Sequence, residues 1–578
     1  MRRRDDRVLD RTGGHLRERS PREAARSWSA VWIRVRGTDA EPGPGQSADR
    51  CGGVALRRVS AVIRHARPVQ NVDAVCPSGH VMPDRPSRRA PATDALLLAV
   101  VAVAAVVPRF AAVVIGGGGL FGHLGYDGTV YYAAAAGLAA GKTPYQDFLL
   151  LHPPGIVLAL WPFAELGQLI GDPSALALGR LTWMSMGAGS AVVAALIFRR
   201  YGAGPALIAG LGYAMFVPAI RVEHSTTLEA PGSLCLLGAI WLLTRSSGAG
   251  DRLAASALLA GCLVGVMTGL KIWGIAIAAV VVVWCLAVRG YRVAFAVIGG
   301  FVATVLAICL PFVASAPQEM WRMVVLDQMG RERNTASVGT RLLEIVGLTG
   351  WGGAIQFVAL CLVATLLLGA SVLAWRIPAG QLGVVLMAAS LLLLLSAPPW
   401  SPDYGALIGP PAVAIAGGAA AALEGPSVSR PPVGVAAALL AVLVGYLVVA
   451  GPGKPFGHRF PGASLAAQLA DVPGCVTTDD PTLLVETNLL SRNLARGCPL
   501  IVDLGGYSYH LQPGATAHRA RSKNRQWQRF AIDYLAGGRA SVVVRFEDEA
   551  GLSAKTWRTI RSWPIRGQVG RYLIRSPN

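Results

Sequence analysis

The residues most able to do chemistry lie between the first two long apolar stretches of the chain. They run from Gly125-Tyr126-Asp127-Gly128 through Lys142-Thr143-Pro144-Tyr145-Gln146-Asp147-Phe148 to His152-Pro153-Pro154-Gly155. Asp127 and Asp147 are carboxylates, Lys142 and His152 are potential cations, and Tyr131 and Tyr145 add hydroxyls. Polar groups held at a membrane face by Pro and Gly are expensive unless they act on something. Asp127 could take a proton from a substrate hydroxyl as a general base. It also immediately precedes a helical run, where Asp is a favoured N-cap. His152, aimed by two prolines, could neutralise a lipid phosphate at headgroup depth. Its plainer reading is an interfacial histidine before a Pro-initiated helix.

Further candidates lie downstream. Glu223, His224 and Glu229 read as an outward-facing cluster that could meet sugar hydroxyls. A divalent cation there is possible, but the spacing does not support one. Arg331 and Arg333 match phosphate geometry, or attract anionic headgroups. Lys271 ends an apolar run, where it could meet a phosphate or snorkel. Asp403-Tyr404 follows a Pro-rich turn and could line a substrate site or cap the next helix. No Walker loop, Rossmann fingerprint, nucleophile elbow or zinc spacing occurs, and Gly116–Gly119 lacks the Lys-Ser/Thr of a phosphate loop. No cofactor is implied.

These residues need elements to position them. Of 578 residues, 53% are hydrophobic and 15% charged, against about 25% charged in soluble domains. Apolar runs of spanning length recur, so the chain reads as an α-helical polytopic membrane protein. About eleven spans are expected: 94–116, 176–198, 204–220, 229–245, 253–270, 272–288, 293–314, 351–375, 380–397, 405–423 and 433–450. Arg199-Arg200, Arg245 with Arg252, Arg289 with Arg292, Arg376 and Arg430 then share one side, which the positive-inside rule makes cytoplasmic. The opposite face carries the first outer loop, 117–175, with short helices at 129–140 and 154–170. The net charge of +20 suits anionic lipid or phosphate-bearing substrates. No basic recognition motif points to nucleic acid.

Residues 1–92 form an Arg- and Pro-rich tail for which disorder is the default, and Met82 is an alternative start. Residues 93–450 form the membrane domain. Residues 451–578 read as a small α/β domain outside the membrane, with strands at 474–479, 499–504, 540–546 and 571–575 in a mainly parallel sheet. Cys475 and Cys498 begin two of those strands, so a disulfide is expected, with free buried thiols as the alternative. Arg519, Arg521, Lys523, Arg525 and Arg529, interleaved with Trp527, suit an anionic glycan, headgroups or plain solvent.

The stretch from Asp127 through Tyr131-Tyr132 and Gly141–Phe148 to His152-Pro153-Pro154-Gly155 resembles the C-type (GT-C) glycosyltransferases. The nearest subgroup holds dolichyl-phosphate-mannose protein mannosyltransferases and bacterial lipid A aminoarabinose transferases. Actinobacterial members with an extracytoplasmic C-terminal domain look closer still. The resemblance covers about 94–450 in topology and is specific over 125–155, with weaker echoes at Glu223-His224, Lys271 and Asp403-Tyr404. It implies that Asp127 is the essential first-loop aspartate. It puts His152 where a Lys-Pro-Pro lysine usually meets the donor phosphate. Gly128 stands where the family often has Glu, which weakens any second acid or metal there. Asp147 matches a common position of unassigned role. The implied donor is a polyprenyl-phosphate sugar, carrying mannose or a pentose, at the outer leaflet. The implied acceptor is a cell-envelope glycan, lipid or protein. Lys142, Lys271, Arg331 and Arg333 would then help His152 hold the phosphate. Tyr131, Tyr145, Asp147, Glu223, His224, Asp403 and Tyr404 would line the substrates. A lipid-linked-sugar flippase and a scaffold binding a cell-wall polymer are the competing classes; the odd span number, the lack of an evident inverted repeat and the elaborate first loop argue against the first, and the second does not require Asp127.

Overall fold

The computed structural model describes residues 91–577 apart from 116, 246–250, 332–335, 350–352, 399, 425–456, 512–520 and 547–550. The expected span at 433–450, Arg333, Arg430, Arg519 and nearly all of the N-terminal tail lie outside the described residues.

The membrane part opens with α1 (Pro91–Ile115), α2 (Tyr126–Ala139), α3 (Gly155–Ile170) and α4 (Asp172–Phe198). The expected outer helices at 129–140 and 154–170 correspond to α2 and α3. Then come α5 (Ala203–Ala214) and α6 (Val217–Glu223), bent by 53° at a short break. They are followed by α7 (Glu229–Arg245), α8 (Asp251–Leu270), α9 (Gly274–Val288) and α10 (Tyr291–Ser315). Seven helices among the described residues are long and apolar enough to span a membrane, or eight if the bent pair is one span. The chain is thus a polytopic helical membrane protein. Helices α8 and α10 lie backbone to backbone: a Cβ on Gly261 would meet the Val297 carbonyl, and one on Gly300 would meet that of Leu258. Small residues at such crossings let helices approach closely in lipid.

Past α10 the chain breaks into α11 (Pro317–Trp321), a π-helical turn (Arg322–Leu326) and α12 (Asp327–Met329), which leads to Arg331. Helix α13 (Val338–Ile345), α14 (Gly353–Ala374), α15 (Pro378–Ser396), a 3-10 turn (Pro402–Ile408) and α16 (Gly409–Glu424) complete the described membrane part.

The C-terminal part contains α17 (Gly462–Leu469), β1 (Val476–Thr478), α18 (Pro481–Glu486), α19 (Leu490–Ala495), α20 (Tyr507–His510), α21 (Arg525–Ala536), β2 (Ala540–Val542), α22 (Ala554–Ser562), β3 (Ile565–Val569) and β4 (Tyr572–Arg575). The sheet order is β1-β2-β4-β3. Only β1 and β2 pair parallel; β4 runs antiparallel to both β2 and β3. The sheet is therefore mixed rather than mainly parallel, and β3 was not expected. Nor are residues 499–504 a strand. Their polar groups are claimed elsewhere: Asp503 accepts from the Gly506 amide at 2.7 Å, and the Leu504 carbonyl accepts from the Trp527 indole at 2.7 Å. Cys475 and Cys498 are joined in a disulfide, with Cα atoms 5.7 Å apart.

One apolar cluster runs through both parts, joining Tyr132, Leu149 and Leu160 to Leu465, Leu483 and Val502. Buried polar contacts reinforce it. Arg180 pairs with Glu486 at 2.8 Å, Asp172 accepts from the Ser491 amide and hydroxyl, and Thr129 meets Thr482 at 2.9 Å. Buried charges are tolerated only when paired in this way. The C-terminal part is consequently packed onto the first outer loop.

Candidate functional site

Helix α2 starts at Tyr126 with Gly125 in the N-cap position, so Asp127 lies in the first turn and is not the cap. Its carboxylate has no hydrogen bond or ion pair among the described residues and opens onto a cleft of about 580 Å³. Gly128 is fixed by packing: a Cβ there would lie 3.0 Å from the Thr226 amide. A side chain beside Asp127 would therefore have to push the Thr226 backbone back by a few tenths of an ångström.

His152 is positioned through its backbone. The Tyr145 hydroxyl donates to the His152 carbonyl at 2.7 Å, and the Gln328 amide donates to that of Leu151. Tyr131 meets the imidazole edge to face, 5.6 Å between centroids. Just beyond, Gly155 presses against the Gly269 carbonyl, which brings the start of α3 to the end of α8. Lys271 follows α8 directly. Its ammonium pairs with Glu229 at 2.8 Å and lies 4.0 Å from the Tyr404 ring centre. Arg331 stacks on Tyr509 at 5.2 Å, and its buried Nε has no hydrogen-bond partner among the described residues.

The cleft thus brings together Asp127, Tyr131, His152, Lys271, Arg331, Asp403 and Tyr404 from the residues named in the sequence. Enclosure and the nearby Asp503 charge raise the Asp127 carboxyl above the usual carboxylate range. Burial, then Lys271 and Arg331, hold His152 well below the ordinary histidine range. This favours the neutral imidazole and runs against the expectation of a cationic His152; Lys271 and Arg331 are the lysine and arginine that line the cleft.

Others lie elsewhere. Lys142 is at the far end of α2, about 20 Å from its start at 1.5 Å per residue. Asp147 accepts from the Thr143 amide at 2.6 Å and is a turn residue. Tyr145 is buried and acts on His152 from behind. Glu223 and His224 are not outward-facing: both are buried, Glu223 paired with Arg109 and His224 bonded to the Arg109 carbonyl. A buried arginine within α1 needs that counter-ion, while Glu229 pairs with Lys271 instead. Trp527 is fully buried, so the basic run around it is not one continuous surface.

The cleft also contains Asp503, Thr227 and Leu149–Leu151, which sequence reasoning missed, and Glu229, which it grouped with the wrong neighbours. Asp503 Oδ1 accepts from the Tyr126 hydroxyl at 2.8 Å. Arg545 stacks over the Tyr126 ring at 3.4 Å. No local pattern marks Asp503; only its Asp-Leu-Gly-Gly turn stands out. A second, nearly apolar hollow of about 510 Å³ adjoins the cleft, lined by Leu236, Met267, Ile277, Leu394 and Leu407. Glu229, Lys271 and Tyr404 line both spaces.

No protein-family model and no curated protein matches the sequence. Solved structures do match. ArnT from Cupriavidus metallidurans in the apo state aligns over 84% of this chain and 98% of its own, at 16% identity and a TM-score of 0.54. The same protein bound to undecaprenyl phosphate aligns over 85% and 99%, at 17% identity and a TM-score of 0.54. The chain has the GT-C fold. At such identities the likeness extends to the fold and not to individual residues. In this chain α2 and the segment before α3 line one side of the cleft, and Asp503 of the C-terminal part adds to its lining.

Proposed function

We propose that this protein is a membrane glycosyltransferase that moves a sugar from a polyprenyl-phosphate donor to a cell-envelope glycan, lipid or protein. The observation that carries this reading is the junction at Lys271. There an acidic cleft holding an unpaired Asp127 opens onto an apolar hollow. An amphiphilic donor fits that junction, with its phosphate at Lys271 and Arg331 and its isoprenoid chain along the apolar wall. Binding of undecaprenyl phosphate to an ArnT of the same fold supports the choice of donor class.

In the step envisaged, Asp127 takes the acceptor's hydroxyl proton as the oxygen attacks the anomeric carbon. The bond from that carbon to the phosphate oxygen breaks, and polyprenyl phosphate leaves with the electron pair. Lys271 and Arg331 stabilise its growing charge. A single displacement inverts the anomeric centre. Mannose or a pentose is the sugar, by the resemblance of the first loop. The positive-inside assignment puts the cleft and the C-terminal domain outside the cytoplasm.

The test is transfer by the purified protein in vesicles containing polyprenyl-monophosphate mannose or arabinose. Sugar transfer from the lipid, and none from a nucleotide sugar, is expected. Turnover with a nucleotide sugar in the absence of the lipid donor overturns the reading. Alkaline phosphatase fused after residue 457 should be active, which checks the orientation.

A further inference from the structure

We propose that the C-terminal domain sets the position of Arg331, with Tyr509 and His510 as positioning residues, so that affinity for the donor phosphate depends on how that domain is seated. The inference rests on the reading that Arg331 meets the phosphate, and adds what holds it there.

Arg331 stands on a short, irregular arm. Past α10 come α11, the π-helical turn at Arg322–Leu326 and α12, whose last residue is followed by Gly330 and Arg331. Single π-helical turns recur at functional sites. A helix of 3 residues such as α12 closes too few backbone bonds to hold itself. The C-terminal domain grips this arm through the end of α20. The Arg322 guanidinium donates to the His510 carbonyl at 2.7 Å. The Asp327 carboxylate meets His510 Nδ1 at 2.9 Å, with Asp327 only 1% exposed and His510 15%. The Arg331 guanidinium lies 5.2 Å from the Tyr509 ring centre. Asp327 precedes Arg331 by about one helical turn, so its bond to His510 anchors the arm just where the guanidinium leaves it.

Helix α20 can serve as an anchor because it is held in turn. The Asn524 amide donates to the Ser508 carbonyl at 3.2 Å, and Arg521 donates to the Tyr509 hydroxyl at 3.2 Å. The Arg521 guanidinium also lies 5.7 Å from the Tyr509 ring centre. One ring therefore meets an arginine of the membrane part and an arginine of its own domain. The kind of contact matters. An aromatic ring attracts a guanidinium through its quadrupole and leaves the N–H donors unspent, whereas a carboxylate takes two of them. Lys271 is held the second way, by Glu229 at 2.8 Å. Arg331 is held the first way and keeps its donors for a phosphate; its buried Nε has no hydrogen-bond partner among the described residues.

The test measures binding of undecaprenyl phosphate and of uncharged undecaprenol to the purified full chain in detergent. Arg331→Gln should weaken binding of the phosphate by about tenfold and leave that of the alcohol unchanged. His510→Leu and Tyr509→Leu should each weaken the phosphate alone by at least about threefold. His510→Asn, whose amide nitrogen replaces Nδ1 as donor, should recover most of the loss. Added to Arg331→Gln, neither leucine variant should weaken binding further, because both act through one guanidinium. If His510→Leu melts early, Tyr509→Leu carries the comparison. Wild-type affinity in the leucine variants, equal losses for the two lipids, or losses that add to that of Arg331→Gln overturn this inference alone. Undiminished binding by Arg331→Gln overturns the phosphate assignment and the inference together.

Discussion

The hydroxyl of Tyr126 and the carboxylate of Asp503, 377 positions apart, share a 2.8 Å hydrogen bond at the mouth of the cleft. Tyr126 is the residue before Asp127. The C-terminal domain therefore holds the first turn of α2 and adds its own negative charge beside the candidate base. Asp503 spends Oδ1 on Tyr126 and Gly506 and lines the cleft.

Burial, and after it the Asp503 charge, raise the Asp127 carboxyl above its ordinary value, so the acid limb of the pH–rate profile should lie higher than that of a free carboxylate. Asp503→Asn removes one negative charge, which makes ionised Asp127 easier to form. The limb should move to lower pH. A limb that stays in place, or rises, shows that Asp503 does not act on Asp127.

Asp127→Asn should lower transfer by roughly 10²–10⁴-fold, the usual contribution of a general base. Since Gly125 is the cap, the substitution leaves the start of α2 intact and the melting temperature unchanged. Retention of more than about a tenth of wild-type rate is too small a loss for a base, and Asp503 or Glu229 becomes the candidate.

Lys271→Met and Arg331→Gln should each weaken undecaprenyl phosphate binding by about tenfold or more, the loss of one charge-assisted contact. Lys271→Met also strands Glu229, so Arg331→Gln is the cleaner comparison. His152→Ala should show no extra defect at acidic pH of the kind a cationic histidine would cause, because burial, then Lys271 and Arg331, hold the imidazole well below the ordinary histidine range. A His152→Ala defect confined to acidic pH restores a cationic histidine.

Arg180→Ala leaves Glu486 charged and buried where it now pairs at 2.8 Å. The cost should be about 3–5 kcal/mol, read as earlier thermal unfolding and faster proteolysis of the C-terminal domain. Replacing both residues with leucine should recover part of that loss. Equal stability of the single variant and the wild type removes the pair from the interface.

How much of this was legible depended on sequence distance. The first outer loop could be read because Asp127, Tyr131 and His152 lie within a short stretch punctuated by Pro and Gly. Most of the expected spans could be read because hydrocarbon thickness sets helix length; those expected at 229–245 and 272–288 became α7 and α9, which are not among the seven or eight helices long and apolar enough to span. Glu223 and His224 misled because their partner, Arg109, sits inside an apolar run and gives no local sign of needing a counter-ion. Residues 499–504 misled because Ile501 and Val502 suit a strand, while the Asp503 turn and the Trp527 indole claim the backbone. Asp503 was invisible because its significance lies in a contact with Tyr126 that no local pattern encodes.

The Tyr126–Asp503 contact also orders the birth of the molecule. On the topology proposed above, the first outer loop crosses the bilayer early in synthesis and can fold while most of the chain is still unmade. One wall of its cleft must wait for a residue made 377 positions after Tyr126. A nascent chain would carry the candidate base without its neighbour, and its cleft would stay unfinished until the segment holding Asp503 had been delivered.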